Sequence, residues 1–86
     1  MSGLGYDYTL NSRCVATLLQ AVDAGRLETF FSQLAAAPFT RGDYQQTDAQ
    51  GRRAEVVLHD DWLITFWPDH AAKIVHIVDV EAISGA

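Results

Sequence analysis

Three histidines are the side chains in this sequence whose ordinary pKa values lie near neutrality, so they are the first candidates for proton transfer. Acid–base catalysis would need one of them held against a reacting group. His70 and His76 are weak catalytic candidates of this kind, and Lys73 is a third. We favour the alternative interpretation, in which the histidines are surface residues or hydrogen-bonded structural residues. The full set is His59, His70 and His76.

A tryptophan with cationic neighbours forms a candidate contact surface in the second half of the chain. Tryptophan and arginine are enriched among the residues that contribute most to protein–protein binding. On the open face of a sheet, such a set predicts contact with a protein partner or a nucleic acid. The alternative is structural, with Trp62 and Phe66 in the core and Trp67 covering a sheet edge. The candidate contact residues are Arg52, Arg53, Trp67 and Lys73, with His76 beside them.

The spacing of metal-ligating and nucleophilic residues predicts neither a metal site nor a cofactor. The histidines show no i, i+4 pair and no Cys/His spacing typical of zinc, and the sequence has no Gly-rich phosphate loop and no CxxC pair. Cys14 is the single cysteine, so an internal disulfide is excluded. We expect Cys14 to be a small helix residue and not a nucleophile. One unpaired cysteine fits a reducing compartment, so we predict a cytoplasmic protein.

Composition indicates one soluble domain spanning residues 1–86. The apolar fraction of 49% and the charged fraction of 20% are ordinary for a globular protein. The apolar runs are far shorter than the roughly 20 residues that a membrane span needs, so we predict no membrane association. The net charge of −5 disfavours a free-standing nucleic-acid binder, because phosphate neutralisation supplies much of such affinity. A local basic patch stays compatible with this charge.

Three apolar runs predict a three-stranded antiparallel meander that organises the domain. They span Ala54–Leu58, Trp62–Trp67 and Ile74–Val80. Residues 59–61 and 68–70 separate them and have the composition of turns.

Alternation along the last run predicts which side chains share a face of this sheet. It places Val75 and Ile77 on one face, and His76, Val78 and Val80 on the other. One face must take the upstream helices, and the other is partly covered or available to a partner.

The first third of the chain predicts a strand and then a helix. Residues 6–10 alternate apolar and polar side chains, as a half-buried strand does. Asn11 or Ser12 then stands where a helix N-cap would. Gly25 is expected to end this helix. Its apolar stripe at i, i+3, i+4 and i+7 consists of Val15, Leu18, Leu19 and Val22.

A second helix follows, and together the two predict an αα-hairpin with one continuous apolar stripe. Leu27, Phe30, Phe31 and Leu34 repeat the helical spacing until Pro38 stops it. A short strand near 42–47 and a turn at 48–51 then lead into the meander. The sequence therefore predicts an α+β domain of order β-α-α-β-β-β(-β), with the two-helix hairpin packed on one face of a mostly antiparallel sheet.

The chain resembles the RelE/ParE family of bacterial toxins in element order and in several short motifs. The resemblance covers nearly all of the sequence and rests mainly on element order and apolar patterning. The motifs are Ser12-Arg13 opening the first helix, Ala36-Ala37-Pro38-Phe39 closing the second, Gly42-Asp43-Tyr44, Trp62–Trp67, and Asp69-His70-Ala71 with Lys73.

The resemblance implies a partner and a choice of targets. Family toxins are held by an antitoxin whose extended or helical tail wraps them. Ribosome-dependent members cleave mRNA with arginine, lysine and a C-terminal tyrosine or histidine on the open sheet face, whereas ParE-like members act on DNA gyrase.

This sequence departs from the pattern of the RNA-cleaving members. Leu63 stands where they place an arginine, and residues 80–83 offer no counterpart of their His-Arg pair and late tyrosine. Phosphodiester cleavage on this scaffold needs cations on the phosphate and a positioned proton donor. We therefore expect a toxin, or toxin-derived component, of a type II toxin–antitoxin module that acts through protein–protein contacts. Its partner would be an antitoxin, with the ribosome or gyrase as a possible target.

Three other functions stay open from sequence. The first is a non-toxic interaction or assembly module on the same fold, including a homodimer. The second is a ribosome-dependent mRNA endonuclease. The third and weakest is a small hydrolase that uses the histidines.

Overall fold

A computed structural model of the chain describes residues 5–47 and 50–83. The predicted α+β class and the order β-α-α-β-β-β-β are confirmed. The predicted turn at 48–51 includes Asp48 and Ala49, which lie outside the described residues. The elements are β1 (Asp7–Leu10), α1 (Ser12–Gln20), α2 (Ala24–Ala36), β2 (Tyr44–Thr47), β3 (Arg53–His59), β4 (Trp62–Asp69) and β5 (Ile74–Ala82).

The five strands form one sheet in the order β1-β5-β4-β3-β2. Strands β2 to β5 are an antiparallel meander, as predicted. At one edge β1 pairs with β5 in parallel, with Tyr8 opposite Val75. Both helices connect β1 to β2 and pack on the same side, where Leu27 and Phe31 of α2 join Ile64, Phe66 and other sheet residues in a single core. Within the described residues, no helix packs on the outer side of the sheet.

The β3–β4 and β4–β5 turns each use a non-glycine residue in the left-handed region. Asp60 has φ 54° between β3 and β4, and Lys73 has φ 59° before β5. The second turn differs from the prediction, because β4 continues through Pro68 to Asp69 and the turn spans 70–73. Proline lacks only the N–H donor, so it is tolerated in a strand where that donor is not needed.

The predicted apolar stripe of α1 is wrong by one position on the helix. Cys14 is buried and Leu18 packs against the core, whereas Leu19 is 82% exposed and Val15 and Val22 are exposed as well. Two stripes with helical spacing overlap in this short helix, and the sheet takes the one that starts at Cys14. The other stripe faces outward.

The helix boundaries also differ from the expected αα-hairpin. Helix α1 ends at Gln20, so Gly25 is not its C-cap but belongs to the first turn of α2. In α2, Leu27, Phe31 and Leu34 are buried, and the helix stops just before Pro38, as predicted. The helices pack mainly on β1 and β5 and much less on each other. The hairpin is therefore held together through the sheet.

A β-bulge in β5 changes which of its residues face the core. Thr65 pairs with Asp79 and Phe66 pairs with Ile77, so Val78 is the extra residue. One extra residue reverses the alternation beyond it. Val80 is therefore buried on the same side as Ile77, where we had expected it on the opposite face.

The buried carboxylate of Glu55 in β3 joins this strand to β2 and to the segment before β2. Oε1 of Glu55 accepts hydrogen bonds from the backbone N–H of Gly42 at 2.7 Å and from Gln45 at 3.0 Å. Arg41 lies 3.5 Å from the other oxygen. Burial raises the pKa of Glu55, but the two hydrogen bonds, with Arg41 and Arg53, outweigh burial and leave the pKa below its usual value. This cluster fixes the chain as it enters β2.

Candidate binding surface on the open sheet face

The open face of the sheet, opposite the helices, carries the residues that we identify as the candidate site. Phe66 and Ile64 point into the core, so the alternate residues of β4, Leu63, Thr65 and Trp67, lie on the open face. Leu58, the cross-strand partner of Leu63, is 55% exposed there. The meander thus presents a surface that no other part of the described chain covers with a helix.

Three flat side chains stack on this face. Trp67 and His76 are cross-strand partners on β4 and β5, and their rings stack with centroids 4.4 Å apart and planes 23° apart. The guanidinium carbon of Arg52 lies 4.2 Å from the centre of a Trp67 ring. Cation–π attraction and ring stacking hold these groups in place. We call this arrangement the Arg52–Trp67–His76 stack.

Both ring nitrogens of His76 have partners. Nδ1 is 3.1 Å from the hydroxyl of Thr9 on β1, and Nε2 is 3.6 Å from Oδ2 of Asp69 at the end of β4. A neutral imidazole with its proton on Nε2 turns that proton toward Asp69 and accepts from the Thr9 hydroxyl. The N–H of Ala72, which donates to Oδ1, lowers the pKa of Asp69, and His76 lowers it further. The carboxylate therefore stays ionised beside the imidazole.

Three carboxylates share the open face with the stack. Asp79 pairs in register with Thr65 and Glu81 pairs with Leu63, which places both acids on the open face along with Asp69. Leu63 contributes a half-buried apolar side chain to the same face. This mixture of one aromatic stack, apolar surface and carboxylates is unlike a polybasic phosphate-binding face.

The structure brings together some of the residues singled out in the sequence and separates others. Arg52, Trp67 and His76 form the stack. Arg53 lies on the opposite face of β3, where its charge acts on Glu55. Lys73 lies in the turn before β5, and its carbonyl accepts the N–H of Asp7 at 3.1 Å.

The two remaining histidines lie away from the stack. His70 stacks against Phe39 beyond the end of α2, with centroids 4.8 Å apart. His59 stacks on Phe30 of α2, with centroids 3.9 Å apart, and lies 3.7 Å from Asp60. The three histidines therefore do not converge on one site.

Thr9 and Asp69 belong to the site, although the sequence did not single them out for it. Thr9 reaches His76 only because β1 pairs in parallel with β5, and no local pattern signals a parallel pairing across that distance. Asp69 falls in the predicted turn at 68–70, whereas in the structure it ends β4 and its carboxylate lies 3.6 Å from His76. Strand alternation from Trp67 was the available signal for Asp69, and the sequence offered none for Thr9.

In this arrangement Trp67 and Arg52 can supply binding contacts, and His76 can donate or accept a proton. Within residues 5–47 and 50–83, no group of three or more metal-ligating side chains is placed to hold a metal ion. No helix in the described part of the chain is long and apolar enough to cross a membrane.

Comparison with known proteins identifies no relative. No protein-family model matches the chain, and neither the curated proteins nor the solved structures include a significant match.

Proposed function

We propose that this protein is a toxin, or a toxin-derived component, of a type II toxin–antitoxin module, and that it acts through protein–protein contacts. The observation that carries the protein-binding role is the Arg52–Trp67–His76 stack on the open face. Tryptophan and arginine are the residue types most enriched in binding hot spots, and here they are already held in one geometry. A preorganised side chain loses less conformational entropy when a partner binds.

The charges of the open face support a protein partner over a nucleic acid. Asp69, Asp79 and Glu81 share the face with Arg52, and the whole chain carries a net charge of −5. A phosphate backbone would be repelled by these carboxylates, whereas a protein partner can place cationic or polar side chains against them.

The outward stripe of α1 supports a second contact, with the antitoxin. Val15 and Leu19 are exposed at positions i and i+4, so they lie one turn apart on the outer side of α1, and Val22 is exposed in the segment just after the helix. Exposed apolar strips of this kind are typical docking sites for an amphipathic segment of a partner. The element order and motifs shared with RelE/ParE toxins suggest the antitoxin tail as that segment.

Expression of the chain alone and together with the product of the adjacent reading frame tests the proposal. We expect slowed growth when the chain is expressed alone, relief on co-expression, and copurification of the two proteins. Leu19→Glu should weaken copurification at least tenfold, because it places a charge in the apolar contact. Gln20→Glu, which adds the same charge at the neighbouring exposed position, is the matched control. Equal growth in both cases without a copurifying protein would contradict the proposal.

Harmless expression combined with copurification would instead favour the non-toxic interaction module on the same fold. In that case, sizing the purified chain separates a homodimer from a partner-dependent assembly.

The second candidate function is ribosome-dependent mRNA cleavage, and one observation favours it. The ring of His76 is oriented by the Thr9 hydroxyl at Nδ1 and by Asp69 near Nε2, so it can act as a general acid or base once the substrate displaces one of these partners. An assay of mRNA cleavage on translating ribosomes, with His76→Ala as the test variant and His59→Ala as the control, decides between the two functions. Cleavage that His76→Ala abolishes and His59→Ala leaves intact would replace protein binding with RNA cleavage as the main function.

A further inference from the structure

The edge of β5 that faces β1 is paired with a strand along only half of its length. Strand β1 pairs with residues 74–77 and ends at Leu10, whereas β5 continues to Ala82. The side chain of Asn11 reaches one step further and donates to the carbonyl of Val78. Beyond Val78, no strand within residues 5–47 and 50–83 pairs with this side of β5. We call this stretch, residues 79–82, the uncovered edge of β5.

The backbone groups of Val80 and Ala82 point out from the uncovered edge. Trp62 pairs with Ala82 in register, and the N–H of Ile83 donates to the carbonyl of Asp61 at 2.9 Å. Hydrogen-bonded and non-hydrogen-bonded pairs alternate along an antiparallel ladder, so Val80 and Ala82 turn their N–H and C=O groups away from β4. The described residues provide no hydrogen-bond partner for these four groups. The edge is therefore free to accept another strand.

A groove lies beside this edge, between α1 and the end of β5. Its volume is about 400 Å³. On the helical side of the sheet its lining is largely apolar, because Val80 is buried and Trp62 packs against the core. The lining residues on α1 are Thr17, Gln20 and Ala21, and those on the sheet include Trp62, Val80 and Ala82.

Two carboxylates follow the same stretch of β5 on the open face. Asp79 and Glu81 are two residues apart, so their side chains lie on one face of the sheet. Neither forms an ion pair with another described residue. A strand placed against the uncovered edge carries one row of side chains beside these carboxylates and the other row beside the apolar lining of the groove. Basic residues suit the first row, and apolar residues suit the second.

We propose that the uncovered edge of β5 binds an extended segment of a protein partner in which basic and apolar residues alternate. The backbone of the segment hydrogen-bonds to Val80 and Ala82, in the way that a peptide adds a strand to an open sheet edge. Its basic side chains lie beside Asp79 and Glu81, and its apolar side chains enter the groove. The site is at the opposite end of β5 from His76, and it does not depend on the toxin assignment.

The chain's own edge strands do not match this description, which disfavours a second copy as the occupant. Strand β1 has the sequence DYTL and β2 has the sequence YQQT. Neither strand contains a lysine or an arginine, and β1 contains an aspartate that Asp79 and Glu81 would repel.

An NMR titration of the isotope-labelled chain with short capped peptides tests the proposal. The probe is a pentapeptide of alternating lysine and valine. We expect saturable binding in which the amide protons of Val80 and Ala82 move downfield as they gain hydrogen bonds. The same peptide with glutamate in place of lysine should bind about tenfold more weakly or worse. The lysine–valine peptide with every backbone nitrogen methylated keeps the charge but loses its N–H donors, and should bind about tenfold more weakly as well.

A pair of charge-reversal variants tests the role of the carboxylates. Glu81→Lys should weaken binding of the lysine–valine peptide about fivefold or more, because an attractive cross-strand pair becomes a repulsive one. Glu28→Lys makes the same charge change at an exposed position of α2, which does not line the groove, and should leave binding unchanged.

Several results would overturn the proposal. They are equal binding of the glutamate peptide or the methylated peptide, shifts centred on another surface, and unchanged binding in Glu81→Lys. Self-association of the free chain, with the amides of Val80 and Ala82 protected from hydrogen exchange, would show instead that a second copy occupies the edge.

Discussion

Asn11 and Val78 are joined by a hydrogen bond of 2.7 Å, in which the side-chain amide of Asn11 donates to the carbonyl of the residue that forms the bulge in β5. The oxygen of the same side chain accepts the N–H of Cys14 at 2.9 Å and so caps α1. One residue therefore sets the start of the first helix and ties it to the point where β5 changes face.

Two substitutions at Asn11 separate these roles. Asn11→Asp keeps the cap acceptor but loses the donor to Val78, and should lower the free energy of unfolding by about 1 kcal/mol. Asn11→Ala loses both and should lower it by about 2 kcal/mol. Urea unfolding followed by tryptophan fluorescence measures both values. Gln20→Ala, at the exposed end of α1, is the control. Equal losses for the two Asn11 variants would show that the cap contributes nothing.

Two glycines should respond in opposite directions to alanine. A Cβ at Gly42 would lie 2.5 Å from the carbonyl oxygen and 2.8 Å from the nitrogen of Val56, which are backbone atoms with no room to move. Gly42→Ala should therefore cost about 1–3 kcal/mol. A Cβ at Gly25 meets nothing within 4 Å, and Gly25 lies in a helix, so Gly25→Ala should stabilise by about 0.5–1 kcal/mol. Thermal unfolding of both variants measures the two changes in stability. If both substitutions stabilised the protein, or both destabilised it, the result would contradict this prediction.

The stability contributed by Glu55 should depend on pH with a defined sign. Its pKa is lowered in the folded protein, so its contribution is fully present above the unfolded value of about 4.3 and is lost as pH falls through the folded value. Glu55→Gln should cost about 1–3 kcal/mol at pH 7. The difference from wild type should shrink as the pH is lowered below about 4.

Unfolding in urea at pH 7, 5, 4 and 3 measures that difference. Glu28→Gln, which removes an exposed carboxylate from α2, is the control. A wild-type advantage that grows on acidification would contradict the assignment of a stabilising carboxylate at Glu55.

The thiol of Cys14 should be inert in the folded protein. Burial raises its pKa, the negative charge of Asp79 raises it further, and Sγ lies 3.6 Å from the carbonyl oxygen of Ile77. Both the thiolate fraction and the access of a reagent are therefore low. Reaction with a thiol reagent at pH 8 should be roughly 100-fold or more slower in buffer than in urea. Equal rates in the two conditions would show that Cys14 is not buried in solution.

The sheet was largely predictable from sequence because its signals are local. The apolar runs at 54–58, 62–67 and 74–80 fall inside β3, β4 and β5. The bulge at Val78 was not predictable, since Val78 and Val80 are both β-branched and either suits the core. In α1 the choice between the stripe at Cys14 and the stripe at Val15 is made by the sheet beneath the helix. A nine-residue helix is too short for its own pattern to decide.

The candidate site was predictable only in part, because some of its residues follow from local strand alternation and others depend on long-range pairing. Trp67 and His76 follow from strand alternation, and Arg52 follows from its position just before β3. Arg53 is separated from Arg52 by the strand alternation itself, because neighbouring residues point to opposite faces. Thr9 depends on the β1–β5 pairing, which only the three-dimensional structure reveals.

The parallel pairing of β1 with β5 also constrains when this protein can fold during synthesis. Thr9 and His76 are 67 residues apart in sequence, and the strand between β1 and β4 is the last to be made. While the ribosome still holds β5, the apolar sides of β1, α1 and α2 have no sheet to cover them. Contacts this distant slow folding and leave apolar surface exposed in the meantime. The nascent chain therefore exposes apolar surface until β5 has left the ribosome and paired with β1 and β4.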